Sequence, residues 1–221
     1  MKVFSKWCDF LRVRLIQSDP LEKADLIVVL AGHRNRKVFG ALLFGDGWAP
    51  SVLMSTGDPP YIARVLEKEV GASVARDKHV WSQVHQAALP SAPRQGHFFA
   101  RLDDAGWSVH SISVGWFGTL SEMEALADWL RQHPSIRSLL IVSAGYHLTR
   151  VRICCRRLLP EDRKVRLIAV TMHATDLAAR KEGPEPEGCG RILLEWGKVL
   201  LYEILLLVVR SKWRRPAGSA A

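Results

Sequence analysis

Cysteine is scarce in this sequence, and the positions of the four cysteines exclude the sites that cysteines most often build. They are Cys8, Cys154, Cys155 and Cys189, in a chain of 221 residues. No two of them form a C-x-x-C pair, and no histidine pair has the spacing of a zinc site. We therefore predict neither a thiol redox motif nor a bound metal. The spacing also predicts no disulfide framework, which favours a reducing compartment and a cytoplasmic protein.

The sequence also lacks a secretory leader and any motif that reads DNA or RNA. Charged residues interrupt the apolar residues of the first 17 positions, which instead predict an amphipathic helix. The net charge is +9, but the basic residues are scattered and are not interleaved with aromatic residues on one strand face. We therefore expect no nucleic-acid partner, and we expect a small anionic ligand or a membrane surface instead. The oligomeric state is left open.

The longest helical apolar run lies near the end of the chain, from Ile192 to Val209. Glu195, Lys198 and Glu203 interrupt it, and a charge at the centre of a membrane-spanning helix costs about 2.5–3.5 kcal/mol. We therefore predict a core helix rather than a membrane span. The basic residues that follow leave a peripheral contact with an anionic membrane surface as an alternative.

Short apolar runs alternate with amphipathic segments along most of the chain. Continuously apolar runs are typical of strands buried on both faces of a parallel sheet, and their alternation with helices is typical of βαβ units. The predicted strands are 24–32, 51–56, 107–114, 139–143 and 165–172. The predicted helices are 36–44, 61–70, 78–88, 97–104, 120–132, 146–159 and 192–209, with loops at 90–96 and 181–190. We predict one α/β domain over residues 1–221, a Rossmann-like three-layer fold with a mostly parallel sheet of about five strands.

The segment from Ser138 to Arg150 carries the clearest candidate site, because ligands bind such folds at the carboxyl ends of the strands. It reads as a strand ending at Ser143, a glycine turn, and a helix whose first turn carries Tyr146, His147 and Arg150. A helix start attracts anions, a guanidinium suits phosphate or carboxylate, and an imidazole can transfer protons. The alternative is that Arg150 pairs with a surface acid while His147 caps the helix.

Residues at the other strand ends add to this prediction. Gly32 permits close approach of a ligand and Arg36 supplies a second guanidinium, although no G-x-G-x-x-G fingerprint is present. Ser55 and Gly57 end the second strand and could bind an anion, or they could belong to an Asp-Pro-Pro turn. Asp25, which opens the first strand, is a ligand-binding candidate or a strand cap.

Glu122 has two interpretations. The segment TLSE, from Thr119 to Glu122, has the spacing of a capping box, with Thr119 or Ser121 as the N-cap. The functional interpretation is a carboxylate that orients His147 or binds a ligand hydroxyl across the crevice.

Four segments together resemble the YdcF-like family, also described as domain-of-unknown-function family 218, which includes SanA and ElyC. They are DLIVVLAG from Asp25, Arg36 followed by GWAPSVLMS from Gly47, TLSE from Thr119, and IVSAGYHLTR from Ile141. The likeness covers about residues 12 to 203. Where the family pattern has two acids after the threonine, this chain keeps Glu122 and has Ser121 at the other position.

The resemblance implies a Rossmann-like fold and a role in the physiology of the bacterial cell envelope or of exopolysaccharides. It also implies S-adenosylmethionine as a candidate cofactor, which the residues alone do not indicate. From the residues we expect Arg36 and Arg150 to neutralise an anion, His147 to transfer a proton and Glu122 to orient it. The reaction would be hydrolysis or group transfer; a non-catalytic sensing module and a peripheral membrane protein are the alternatives.

Overall fold

A computed structural model describes residues 2–71, 97–115, 118–170 and 189–213 of the chain. In these ranges six strands, β1 to β6, run over Leu26–Val29, Val52–Thr56, His97–Asp103, Gly106–Ile112, Ser138–Ser143 and Lys164–Ala169. Helices α1 to α6 run over Lys2–Leu15, Arg34–Gly45, Pro59–Val70, Gly118–Gln132, Leu148–Leu158 and Cys189–Trp213. A short 3-10 turn, Gly145–His147, directly precedes α5.

The strands form one sheet in the order β4-β3-β2-β1-β5-β6. β2, β1, β5 and β6 are parallel, whereas β3 is antiparallel to both of its neighbours. The chain passes from β1 to β2 on one side and returns to β5 on the other, so the strand order reverses between β1 and β5. The loops after these two strands diverge at such a point and open a crevice. The predicted α/β fold is confirmed, with six strands rather than five.

Helices cover both faces of the sheet, which explains the continuously apolar strands. One core cluster joins the sheet to α4, α5 and α6, and a second joins its other face to α2 and α3. Every residue of β1 is buried, with alternate side chains in the two clusters. Because both faces of such a strand lie in the core, apolar residues are favoured at every position, and the sequence is a continuous apolar run.

The helix predicted at 97–104 is wrong, because His97–Asp103 is strand β3. Phe98, Ala100 and Leu102 alternate along it, which is the period of a strand. A tight turn ending at Gly106, whose φ is +107°, returns the chain into β4. Since β3 runs against β2, its first residue, His97, lies at the edge where the parallel strands end.

Other boundaries shift by a few residues. The helix predicted at 146–159 is a 3-10 turn followed by α5, and the last helix begins earlier, at Cys189. The helix predicted at 78–88, the loop at 90–96 and most of the loop at 181–190 lie outside the described residues. Cys189 is disulfide-bonded, so the prediction that the cysteines form no disulfide is wrong, and with it goes the argument for a reducing compartment; Cys154 and Cys155 are free and buried.

Among the described residues, no helix has the length and hydropathy needed to cross a membrane. This agrees with the prediction that the run from Ile192 to Val209 does not span a membrane.

Gly40 sets the spacing between α2 and the sheet. A Cβ atom at this position would overlap Cγ2 of Val29 on β1, so the helix backbone approaches the strand more closely than any larger residue allows. Arg36 and Lys37 lie one turn earlier on the same helix. The close approach brings both of these basic residues to the end of β1.

Candidate functional site

The crevice at the strand ends collects charged side chains from elements far apart in sequence. Arg36 and Lys37 come from α2, Glu122 from α4, and His97 from β3. The turn and helix after β5 contribute His147 and Arg150, and α6 contributes Glu195. We take these seven residues together as the crevice cluster.

The turn after β1 brings the Arg36 guanidinium against the backbone. Arg36 Nη1 donates a hydrogen bond to the carbonyl oxygen of Ala31. Gly32 has a φ of +126°, and a Cβ atom there would lie 2.7 Å from Arg36 Nη1. Glycine is required here both by the backbone angle and by the guanidinium that packs over it.

Glu122 reaches the same turn from the opposite side. Its Oε1 atom accepts a hydrogen bond of 2.8 Å from the backbone N–H of Ala31, and the residue is only 4% exposed. Burial raises the pKa of Glu122, but hydrogen bonds from His97, Ser55 and Ala31 outweigh burial and hold its pKa below the ordinary value. Glu122 is therefore an ionised, buried carboxylate at neutral pH.

Two sequence interpretations of Glu122, the capping box and the orientation of His147, do not match its contacts, whereas binding of a ligand hydroxyl stays a prediction. The capping box does not form, since α4 begins at Gly118 and the carboxylate binds the β1 turn instead. Nor does Glu122 orient His147: the imidazole beside it belongs to His97, whose Nε2 lies 3.7 Å from Glu122 Oε1.

Ser55, His97 and Glu122 do not form a nucleophilic triad, although the three residue types suggest one. The same nitrogen, His97 Nε2, lies 2.7 Å from Ser55 Oγ and 3.7 Å from Glu122. A triad uses the two ring nitrogens for two different partners. Ser55 is also fully buried, so its hydroxyl cannot reach a ligand. The group supports the strand ends and the Glu122 carboxylate.

Lys37 fastens the ends of β1 and β2 to each other. Its Nζ donates to the carbonyl oxygens of Leu30, at 3.0 Å, and of Ser55. Burial lowers the pKa of Lys37 to about 7, which Glu122 partly opposes and Arg36 reinforces. Lys37 is 3% exposed and so contributes to the charge of the crevice without facing it.

Arg150 is the centre of the second half of the crevice cluster. One of its terminal nitrogens, Nη2, contacts His147 Nδ1 and also lies 3.2 Å from Glu195 Oε2. Its guanidinium carbon lies 5.5 Å from the ring centre of Tyr202 on α6, in cation–π geometry. Glu195 also binds Lys198, at 2.7 Å. The alternative in which Arg150 pairs with a surface acid is wrong, because Glu195 is buried.

His147 is held neutral by its surroundings. Burial and the charges of Arg150 and Arg36 lower its pKa to about 4, while Glu195 opposes the shift. Because Nδ1 faces an arginine, which can only donate, the ring nitrogen that carries the proton is Nε2. His147 is therefore a hydrogen-bond donor at neutral pH, and it makes no capping hydrogen bond to α5.

Both halves of the cluster act on each other electrostatically. Burial lowers the pKa of Arg36; the charge of Glu122 opposes this shift and the charge of Arg150 reinforces it. Two guanidinium groups are thus close enough to repel, and the Nε atoms of both, although buried, have no hydrogen-bond partner within the described ranges. Ser143 Oγ, at the end of β5, is likewise buried and without a hydrogen-bond partner there.

Three further residues predicted from the sequence, Tyr146, Gly57 and Asp25, are not members of the crevice cluster. Tyr146 packs, partly buried, against the core beside His147. Gly57 is exposed after β2, and Asp58 is the N-cap of α3, whose first residues are Pro59 and Pro60; the Asp-Pro-Pro segment therefore starts a helix instead of forming a separate turn. Asp25 lies at the opposite edge of the sheet. Its Oδ2 accepts hydrogen bonds from the N–H groups of Arg137 and Ser138, both at 2.7 Å. This placement is that of a strand cap and removes Asp25 from the crevice.

Sequence analysis missed His97, Lys37 and Glu195. His97 was hidden by the wrong helix prediction, and Lys37 resembles any surface lysine of an amphipathic helix. Glu195 gave a usable signal: a carboxylate inside an apolar helix must have a partner, and the chain has 31 lysines and arginines against 22 acids.

The structure also contains a cavity of about 340 Å³ away from the crevice cluster. It lies between α4 and the β3–β4 hairpin, where His110, Asp128 and Trp129 line it. None of the residues predicted from the sequence lies in its wall. Among the described residues, no group of three or more histidine, cysteine and acidic side chains could hold a metal ion.

The donor set suits an anion better than the cationic sulfonium of S-adenosylmethionine. Both carboxylates of the crevice cluster face N–H or cationic groups: Glu122 accepts from Ala31, and Glu195 pairs with Lys198 and Arg150, although its Oε2 atom makes no hydrogen bond in the described part. The Nε atoms of Arg36 and Arg150 likewise have no hydrogen-bond partner there. The described residues therefore do not fit that sulfonium.

Comparison of the chain with protein-family models, with curated proteins and with solved structures finds no match to any of them.

Proposed function

We propose that the crevice binds a small molecule through a phosphate or carboxylate group held between Arg36 and Arg150. The observation that supports this most is the proximity of two partly or fully buried guanidinium groups that repel each other. An anion between them would relieve the repulsion and would accept hydrogen bonds from both. The backbone N–H groups at the start of α5 favour the same charge.

His147 would donate a hydrogen bond from Nε2 to the bound anion. Negative charge beside an imidazole raises its pKa, so ligand binding would move the pKa of His147 from about 4 towards neutrality. In that state the imidazolium could protonate a leaving group. On a phosphorylated or glycan-linked substrate we propose either hydrolysis, with water as the attacking group, or transfer of the group to an acceptor hydroxyl that attacks in place of water; in both, the leaving group takes the proton from His147. Membership of the YdcF-like family and a role in envelope metabolism remain part of this proposal.

A non-catalytic binding module is the second candidate. The two serines nearest to the cluster, Ser55 and Ser143, are both buried, and neither can act as a nucleophile on a ligand in the crevice. The neutral state of His147 in the unliganded protein also suits a residue that only senses charge.

A thermal-shift screen tests the binding proposal. The ligands are inorganic phosphate, pyrophosphate, nucleotides, sugar phosphates and S-adenosylmethionine, each with the wild type, Arg36→Gln and the control Arg64→Gln. Arg64 is an exposed arginine of α3 outside the crevice. A ligand at 100 times its dissociation constant should add about 2.7 kcal/mol of stability to the wild type and to the control. Equal stabilisation of Arg36→Gln, or none of the wild type, would contradict the proposal.

A second variant separates enzyme from binding module. If the protein is an enzyme, His147→Ala should retain ligand binding within a few-fold and lose turnover of the ligand that the screen identifies. Absence of turnover by the wild type, with binding intact, would favour the module.

A further inference from the structure

The outer face of α6 is apolar and exposed. Six large aliphatic side chains on it are between 43% and 62% exposed: Leu193, Leu194, Leu200, Leu201, Ile204 and Leu207. At 3.6 residues per turn these positions fall on one face of the helix, and Gly197 occupies that face between Leu194 and Leu200. The opposite face of the same helix, with Ile192, Val199, Tyr202 and Leu206, is buried in the core. A soluble protein rarely exposes so many large aliphatic side chains on one helix.

A second apolar stripe lies on the neighbouring helix α1. Trp7, Phe10 and Val13 are between 54% and 68% exposed. The two helices are in contact, since Trp196 Nε1 donates a 3.3 Å hydrogen bond to the carbonyl oxygen of Leu11. Trp7 and Phe10 pack edge to face, and the Arg14 guanidinium lies 5.1 Å from the Phe10 ring centre. Aromatic rings beside arginine are typical of the boundary between lipid and water.

The sequence on either side of these stripes is mainly basic. The sequence of α1 has four basic residues, Lys2, Lys6, Arg12 and Arg14, against one acid, Asp9. After Glu203 the sequence has four basic residues, Arg210, Lys212, Arg214 and Arg215, and no acid. A complementary surface has an apolar interior and negative charge where that interior meets water.

We propose that α1 and α6 dock on the surface of an anionic lipid bilayer, with the exposed stripes in the headgroup region and α6 parallel to the membrane plane. Helices of this kind bind through buried apolar area together with attraction to anionic lipids. One face of α6 packs in the protein core, so the helix meets the bilayer only along its exposed stripe and lies in the membrane plane. This proposal is independent of the ligand of the crevice.

A second copy of the chain fits the same face less well. Two copies would bring basic helix ends together without acids to balance them. The described acids of α6 are already paired within the chain, Glu195 with Arg150 and Lys198, and Glu203 with Arg156 and Arg157.

Vesicle sedimentation with the full chain tests the proposal. The vesicles are phosphatidylcholine alone and phosphatidylcholine mixed with phosphatidylglycerol. The variant is Leu200→Glu with Ile204→Glu, and the matched control is Leu42→Glu. Leu42 is similarly exposed, at 45%, but it lies on α2 at the other face of the sheet. All three proteins are first compared by thermal unfolding, because exposed positions should tolerate the change.

We expect the wild type and Leu42→Glu to bind the anionic vesicles, with weaker binding at high salt, and the double variant to bind about tenfold more weakly or less. If the double variant does not fold, Trp7→Ser with Phe10→Ser takes its place with the same expected loss. Three results would overturn the proposal: no binding of the wild type to anionic vesicles, equal binding to neutral vesicles, or a stable dimer that the substitutions dissociate without affecting vesicle binding.

Discussion

The two ends of β1 each have a carboxylate from an adjacent segment, and the two carboxylates differ in their partners. At the amino end, Asp25 accepts hydrogen bonds from the Arg137 and Ser138 backbone and from the Ser138 hydroxyl. At the carboxyl end, Glu122 accepts one backbone hydrogen bond and otherwise contacts side chains. Backbone donors are fixed by the sheet, so Asp25 holds two strands in register. Glu122 instead belongs to the crevice cluster, whose contacts are mostly between side chains.

The difference shows why burial of a carboxylate alone does not identify a functional site. Both groups have a pKa below the ordinary value, in each case because hydrogen bonds outweigh burial. What distinguishes Glu122 is the surplus of basic side chains around it, from Arg36 and Lys37. A residue with a shifted pKa is a candidate functional residue when the charged groups around it are not all paired within the fold.

Of the substitutions at the carboxyl end of β1, removal of the Arg150 guanidinium should lower the free energy of unfolding the most. Arg150→Met leaves the buried carboxylate of Glu195 without its guanidinium, and breaking a buried pair in this way costs about 3–5 kcal/mol. Arg152→Met breaks the more exposed pair with Asp19 and should cost about 0–1 kcal/mol. Urea unfolding measures both values. Equal losses would show that Arg150 is no more than a surface partner.

The two carboxylates can be compared directly by amide substitution. Asp25→Asn and Glu122→Gln should each lower the free energy of unfolding by about 1–2 kcal/mol, because the charge-assisted hydrogen bonds become neutral. Their effects on anion binding should differ. Glu122→Gln removes a negative charge near Arg36 and should tighten phosphate binding, whereas Asp25→Asn should leave it unchanged. Calorimetric titration with phosphate measures this, and an effect of Asp25→Asn of similar size would contradict the separation of the two ends.

Acid should weaken the two ends over different pH ranges. His147 has an ordinary pKa of 6.5 that the fold lowers to about 4, so protonation favours the unfolded chain and stability falls as the pH drops from 6.5 to 4. Asp25 has an ordinary pKa of 3.8 that the fold lowers further, so its contribution is lost only below that value. His147→Asn should remove a loss of about 1–2 kcal/mol between pH 6.5 and 4. Unfolding curves at several pH values give the slope of the free energy of unfolding against pH. If this slope between pH 6.5 and 4 is the same in His147→Asn as in the wild type, His147 is not the group responsible.

The smallest effect on stability is expected at the glycine turn. Gly32→Ala and Gly71→Ala each place a side chain at a positive φ, at a cost of about 1 kcal/mol. Only position 32 has the Arg36 guanidinium within reach of the added methyl group, whereas nothing lies within 4 Å of position 71. Phosphate affinity should therefore fall in Gly32→Ala alone. A parallel loss in Gly71→Ala would mean that general destabilisation, rather than Arg36, sets the affinity.

Local patterns in the sequence predicted the part of the fold that local rules govern. β1, β2 and β5 are apolar runs next to turns, and the position of His147 and Arg150 after β5 follows from the strand–turn–helix order. The partners of these residues could not be predicted in the same way. His97 reaches the crevice because β3 runs antiparallel, and Glu195 reaches it because α6 packs on α5; both contacts depend on the tertiary arrangement. The pairing of Glu122 with His147 was wrong for the same reason.

Gly40, one helical turn from the crevice cluster, fixes how closely α2 approaches β1 and so how deep the proposed anion site lies. Because Gly40 lets α2 rest against Val29, even one added methyl group would lift that helix and carry the Arg36 guanidinium outward with it. The position of the Arg36 guanidinium in the proposed site therefore depends on the contact between Gly40 and Val29, which lies away from the ligand. A substitution at Gly40 would change the space for the ligand without changing any charged residue.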